Sequence, residues 1–193
     1  MSGKISVGVV YEKSKSITEH LNKVLTFLVN AGGMSKKAKF SVDEDGKTWT
    51  RIAGEELNDL NIINSLVKGF NGEVHLDYFV VTGQEAIELT LRIINEDMYF
   101  GFLMDFEEAV VIPRYSLHGF ERIIVHILRN MYNVSRYDYA FCDHEAEIEY
   151  SPSEFCKLKE DVYSLYVLPV KLGESQNLLV NESSWAIDGL TLR

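Results

Sequence analysis

The chain reads as an α+β domain: a mainly antiparallel sheet, made of a hairpin, a three-strand meander and C-terminal strands, with about three helices packed on it. Three observations predict this. Apolar residues alternate with period two in some segments and recur at helical spacing in others. The runs 74–81, 86–94 and 98–106 are joined by connections too short for the crossover that parallel neighbours need, so they form an antiparallel meander. The strongest helical stripe, Phe120, Ile123, Ile124, Ile127, Leu128 and Met131, comes directly afterwards and requires an apolar surface to cover.

In chain order, Ile5, Val7 and Val9 alternate through a first strand from about Lys4 to Tyr11. Ser16-Ile17-Thr18-Glu19 then has the form of a capping box, in which Ser and Glu satisfy free backbone donors. Ile17, Leu21, Val24, Leu25 and Leu28 carry the helix on to Gly32-Gly33. Ala38, Phe40 and Val42 on one side of Asp43-Glu44-Asp45-Gly46, and Thr48 to Ile52 on the other, make a hairpin. A second helix contains Leu57, Leu60, Ile63, Leu66 and Val67 and closes near Gly69. In the middle run of the meander Ile87, Leu89, Leu91 and Ile93 face the core while Glu88, Thr90 and Arg92 face water. Beyond the third helix, Tyr137 to Tyr150 and Val162 to Val170 read as strands around a helical turn opened by Ser151-Pro152-Ser153. The tail from Asn177 is less regular, with Trp185 expected to dock.

Composition narrows the function classes. The 193 residues, 46% hydrophobic and 25% charged, suit a single domain spanning 1–193, without repeats or low-complexity tracts. Met1-Ser2-Gly3-Lys4 lacks the apolar run of a signal peptide, and no segment is apolar for long enough to span a bilayer, so a soluble cytoplasmic protein is expected. Cys142 and Cys156 match neither a zinc ribbon nor a redox pair and are expected to be reduced and structural. Twenty-nine acidic against nineteen basic side chains leave a formal charge of -10. That charge repels phosphate backbones and anionic lipid and favours a partner with a basic surface.

No phosphate loop, dinucleotide fingerprint, nucleophile elbow or paired-histidine zinc helix occurs, so neither a cofactor nor a metal is expected. His20, His75, His118 and His126 fall in expected helices and strands. His144 is the sharper candidate, because Cys142, Asp143, Glu145 and Glu147 surround it and offer nucleophile–base or ligand chemistry. Read as a strand, however, the segment turns Cys142 and His144 to one face. Asp143, Glu145, Glu147 and Glu149 then line the other at intervals of about 6–7 Å. Eight acids against Lys157 and Lys159 lie between residues 138 and 161. A second acidic stretch includes Glu96, Asp97, Asp105, Glu107 and Glu108. Carboxylates at this density serve either as a docking surface for a basic partner or as a solvated face. Tyr132, Tyr137, Tyr139 and Tyr150 nearby suit an interface or a sheet edge equally.

The segments Gly3-Lys4-Ile5-Ser6-Val7-Gly8-Val9-Val10-Tyr11, Asp43-Glu44-Asp45-Gly46-Lys47-Thr48-Trp49 and Tyr99-Phe100-Gly101-Phe102-Leu103-Met104-Asp105-Phe106-Glu107-Glu108 carry a likeness over most of the chain. In them it resembles the bacterial polymorphic-toxin immunity proteins, and most of all the immunity protein 64 family. The resemblance implies a small cytoplasmic, non-enzymatic protein that binds and neutralises one toxin domain. The expected toxin contacts are Asp143, Glu145, Glu147, Glu149, Asp105, Glu107 and Glu108. A regulatory or scaffold subunit unrelated to a toxin, and a hydrolase using His144, are the competing readings.

Overall fold

Alternation in the first segment produces β1 (Lys4–Glu12), whose Ile5, Val7, Val9 and Tyr11 are fully buried. The hairpin follows as β2 (Met34–Ser41) and β3 (Trp49–Ala53), and the meander as β4 (Gly72–Tyr78), β5 (Ile87–Asn95) and β6 (Tyr99–Glu107). The last strands of the sheet are β7 (Tyr139–His144), β8 (Leu165–Leu172) and β9 (Ser175–Glu182). This computed structural model describes residues 3–78, 86–172, 175–183, 186–187 and 190–191. The nine strands form one sheet in the order β3-β2-β4-β5-β6-β1-β7-β8-β9, every pair antiparallel. The first strand in sequence thus lies deep in the sheet, flanked by β6 and β7. A two-stranded ribbon, β10 (Ala186–Ile187) with β11 (Leu190–Thr191), lies beyond it in sequence.

The helices are α1 (Ile17–Asn30), α2 (Leu60–Lys68), α3 (Glu108–Tyr115), α4 (Leu117–Val134) and the single turn α5 (Pro152–Phe155), with a 3-10 turn over Gly54–Asn58. The apolar stripes of α1, α2 and α4 close over one face of the sheet. There Leu21, Leu66, Phe120 and Leu128 join Val7, Leu91 and Met104 in the main core. The opposite face is divided. Around Leu103, Val10, Tyr139 and Phe141 of β6, β1 and β7 it is apolar, and residues 145–164 fold across it: Phe141 stacks on Tyr163 at 3.9 Å and Tyr139 on Phe155 at 4.1 Å. Three hydroxyls fasten this covering segment by its backbone. Tyr99 donates to the Ile148 carbonyl (3.1 Å), Tyr139 to Tyr150 (2.6 Å) and Tyr163 to Glu147 (3.0 Å). Over β2, β4 and β5 the same face carries charged side chains, and none of the apolar helix stripes among the described residues packs on it.

Several expectations are corrected. Five helices replace about three, because α3 runs straight on from β6 in a stretch whose Pro113 argues against a helix; the proline falls near the C-terminal end of α3. Only half of the first capping box forms: Ser16 accepts from the Glu19 amide, while the Glu19 carboxylate pairs with Lys23. The full reciprocal box is instead at Ser151 and Glu154. The strand expected over Tyr137 to Tyr150 ends at His144, since Glu145 takes a left-handed φ of 49° that breaks the pleat. Part of the irregular tail is β9. Trp185 and residues 79–81 lie outside the described residues.

Where α1 meets β1, His20 is buried and its Nδ1 lies 2.9 Å from the Ser135 hydroxyl, which is also 2.8 Å from the Tyr11 hydroxyl. Burial, with the charges of Lys23 and Lys15, lowers the His20 pKa. The unfolded chain therefore binds this proton more readily below about pH 6.5. Stability that is full above that pH is lost as pH falls from it through the lower folded-state pKa. Urea unfolding on both sides of about pH 6.5 should show the loss, and His20→Gln should flatten it. An identical pH slope in the variant would assign it elsewhere.

Candidate partner-binding face

On the face of the sheet opposite the main core the side chains alternate away from it, so their rows can be read from strand register. One polar row crosses β4, β5, β6, β1 and β7 as His75, Thr90, Asp105, Ser6 and Asp143, each a cross-strand neighbour of the next. Its centre is an internal charge network. The Asp105 carboxylate, buried, accepts from Arg92 Nε at 2.7 Å and from the Ser6 hydroxyl at 2.8 Å, with Lys4 Nζ at 3.9 Å. Burial works against the Arg92 charge, but the bonds and charges of Asp105 and then Glu147 outweigh it, so the guanidinium pKa is raised. The Glu147 carboxylate takes Arg92 Nη1 with both oxygens, at 2.8 and 3.0 Å.

A second row lies two residues along each strand, toward the end where α3 begins. Asp77 pairs with Glu88 across β4 and β5, Glu107 pairs with Lys4 across β6 and β1, and the Glu145 amide donates to the Lys4 carbonyl at 2.8 Å. Glu88 and Glu107 line a cavity of about 150 Å³ together with Lys4, Thr90, Asp105 and Phe106. Glu107, Glu145 and Glu149 are exposed, as is Glu88. Three strands and the Glu145 turn thus bring carboxylates to one end of this face, with Lys4 of β1 among them, whereas Glu149 lies toward the opposite end, next to the Ile148 carbonyl that Tyr99 holds.

The seven acids expected to contact a partner separate into two groups. Glu107, Glu145 and Glu149 project to solvent, and Glu147 does so while holding Arg92. Asp105, Asp143 and Glu108 are committed inside the fold. Asp143 takes the Ser164 amide and hydroxyl at 2.8 and 2.7 Å, fixing the return of the covering segment into β8. Glu108 lies 3.1 Å from His144 Nε2, and both side chains are largely buried. The anticipated single face of four carboxylates does not form, because β7 ends at His144 and residues 145–151 run as turn and coil. Glu88 and Asp77 join the acidic row unanticipated. Each lies on the polar side of its own alternating strand, which is legible, but nothing in the chain order places them beside Glu107.

His144 and Cys142 do face the helix side, as alternation requires. Cys142 is fully buried and burial pushes its thiol pKa well up, the reverse of what a nucleophile needs. Among the described residues, His144 is absent from the lining of the cavities of about 150, 270 and 570 Å³. Among the described residues no group of three histidine, cysteine or acidic side chains is arranged to hold a metal ion, and no helix is long and apolar enough to cross a membrane. Tyr132, Tyr137 and Tyr139 are buried and Tyr137 donates to the Leu128 carbonyl at 3.0 Å, which makes them parts of the core.

The sequence profile of the immunity protein 64 family matches residues 4–193, nearly the whole chain. The chain belongs to the immunity protein 64 family. No curated protein and no solved structure gives a significant match. Membership of an immunity family implies a cognate toxin as partner, and immunity proteins are in general not enzymes.

Proposed function

We propose that this protein neutralises its toxin by stoichiometric occlusion, docking the acidic end of the open sheet face on a basic surface of the toxin. One observation carries the reading: Glu88, Glu107 and Glu145 reach solvent from three separate elements, β5, β6 and the turn after β7, at the same end of the sheet as the Arg92–Asp105 network. Carboxylates at this density repel one another in the free protein, and a basic surface relieves that repulsion on docking. The buried network contributes differently. It holds the strands in register so that the exposed acids keep their spacing, while Asp105 itself stays out of contact.

Co-expression with the product of the adjacent upstream gene tests the reading, scored by rescue of growth and by co-purification. Changing Glu107 and Glu145 together to lysine should slow association and weaken binding by about a hundredfold, with the loss shrinking at high salt. These two have no ion pair among the described residues, so the fold should tolerate the change. Undiminished affinity in the folded variant would place the toxin on another face.

A further inference from the structure

The other end of the open face has the opposite sign. Lys37, Lys39, Arg51 and His75 line a cavity of about 270 Å³. They are cross-strand neighbours: Lys37 pairs with His75, and Lys39 with Arg51. Lys39 is engaged, with Nζ 2.9 Å from Glu73 and 4.5 Å from the Trp49 ring centre. Lys37 and Arg51 are exposed, and their side chains have no ion pair or hydrogen bond among the described residues. His75 Nε2 is buried without a hydrogen bond, its nearest acid being Glu73 Oε2 at 3.4 Å. Two cations without an ion pair among the described residues thus line one hollow in a chain of net charge -10.

Two further observations converge on this edge. The strand β3 ends the sheet, so its outer backbone groups have no strand beside them among the described residues. Beside it opens a groove of about 570 Å³ lined by Val29, Met34, Lys36 and Ala53 among others, in which Val29 and Met34 are 46% and 56% exposed. Residues 34–36 and 53 line this groove and residues 37–39 and 51 line the cationic hollow, so apolar Val29, Met34 and Ala53 lie beside a cationic flank along the edge strand. That is the composition of an interface, and strand addition is the pairing it offers.

We infer that the β2–β3 edge receives an extended acidic segment of the cognate toxin, which pairs with β3 and sets its carboxylates on Lys37 and Arg51. This rests on the immunity reading and extends it: the footprint has two signs. Acidic contacts alone would let a basic toxin surface slide along the face, whereas a cationic end fixes orientation and rejects wrongly placed positive surface.

The test uses the full chain and the purified toxin. Lys37→Glu with Arg51→Glu should weaken binding at least about tenfold while leaving thermal unfolding of the free protein unchanged. Hydrogen exchange on the wild-type complex should show amides of residues 49–53 slowed by the toxin. If the wild type does not bind the toxin at all, the immunity reading itself fails. If it binds, but the folded double variant binds equally well or the β3 amides exchange as in the free protein, this inference alone is overturned. Slowing of those amides with rising concentration of the free chain would assign the edge to a second copy instead and overturns it too.

Discussion

Asp105→Ala is expected to destabilise the protein by about 3 kcal/mol, measured as a lower urea midpoint at unchanged m-value. The carboxylate accepts from Arg92 and Ser6 where water does not reach, so removing it leaves the Ser6 hydroxyl buried and unpaired. Arg92 keeps only the solvent-exposed Glu147 as its counter-charge. Asp105→Asn separates the contributions: it can still accept from Ser6 but no longer balances the guanidinium, and should lose less than alanine does. Equal losses in the two variants would show that charge, and not the hydrogen bond, sets the cost. A change below about 0.5 kcal/mol in Asp105→Ala would mean the network does not hold the strands together.

Gly8→Ala should cost about as much by a steric route. Gly8 lies in β1 between Leu103 and Phe141, and a Cβ there would collide with the Phe141 ring. That ring is fully buried and stacked on Tyr163, so it has no free space to enter. Relief requires shifting the stack and with it the segment that carries Glu145, Glu147 and Glu149. Overpacking of this kind costs about 3 kcal/mol, and the variant should also bind toxin more weakly. Phe141→Leu in the same chain should recover part of the loss, a non-additivity expected of residues in contact. Simple addition of the two penalties in a double-mutant cycle would remove the steric explanation.

How much was legible can be followed residue by residue. Alternation in Ile5 to Tyr11 and Ile87 to Ile93, the stripe through Phe120 to Met131 and the Asp43 to Gly46 turn all became the expected elements, because each is decided by local periodicity. The helix at Glu108 was hidden by Pro113, and β9 by its weak pattern. For the site, local pattern misled in one place. Acidic residues at alternating positions after His144 suggest a strand face, but strand pairing cannot continue once Glu145 turns left-handed and the chain crosses over the sheet.

By itself, the sequence determined that this is an acidic α+β protein without a recognisable catalytic motif, and that its carboxylates gather in two stretches. Local pattern and composition suffice for both statements. Only the tertiary structure decided which carboxylates are available. Asp105, Asp143 and Glu108 are bound to partners 13 to 99 residues away in the chain. Glu88 and Glu107 meet at one cavity, and a cationic edge closes the far end of the same face. Such placements depend on strand order and register, which long-range packing sets and no local signal encodes.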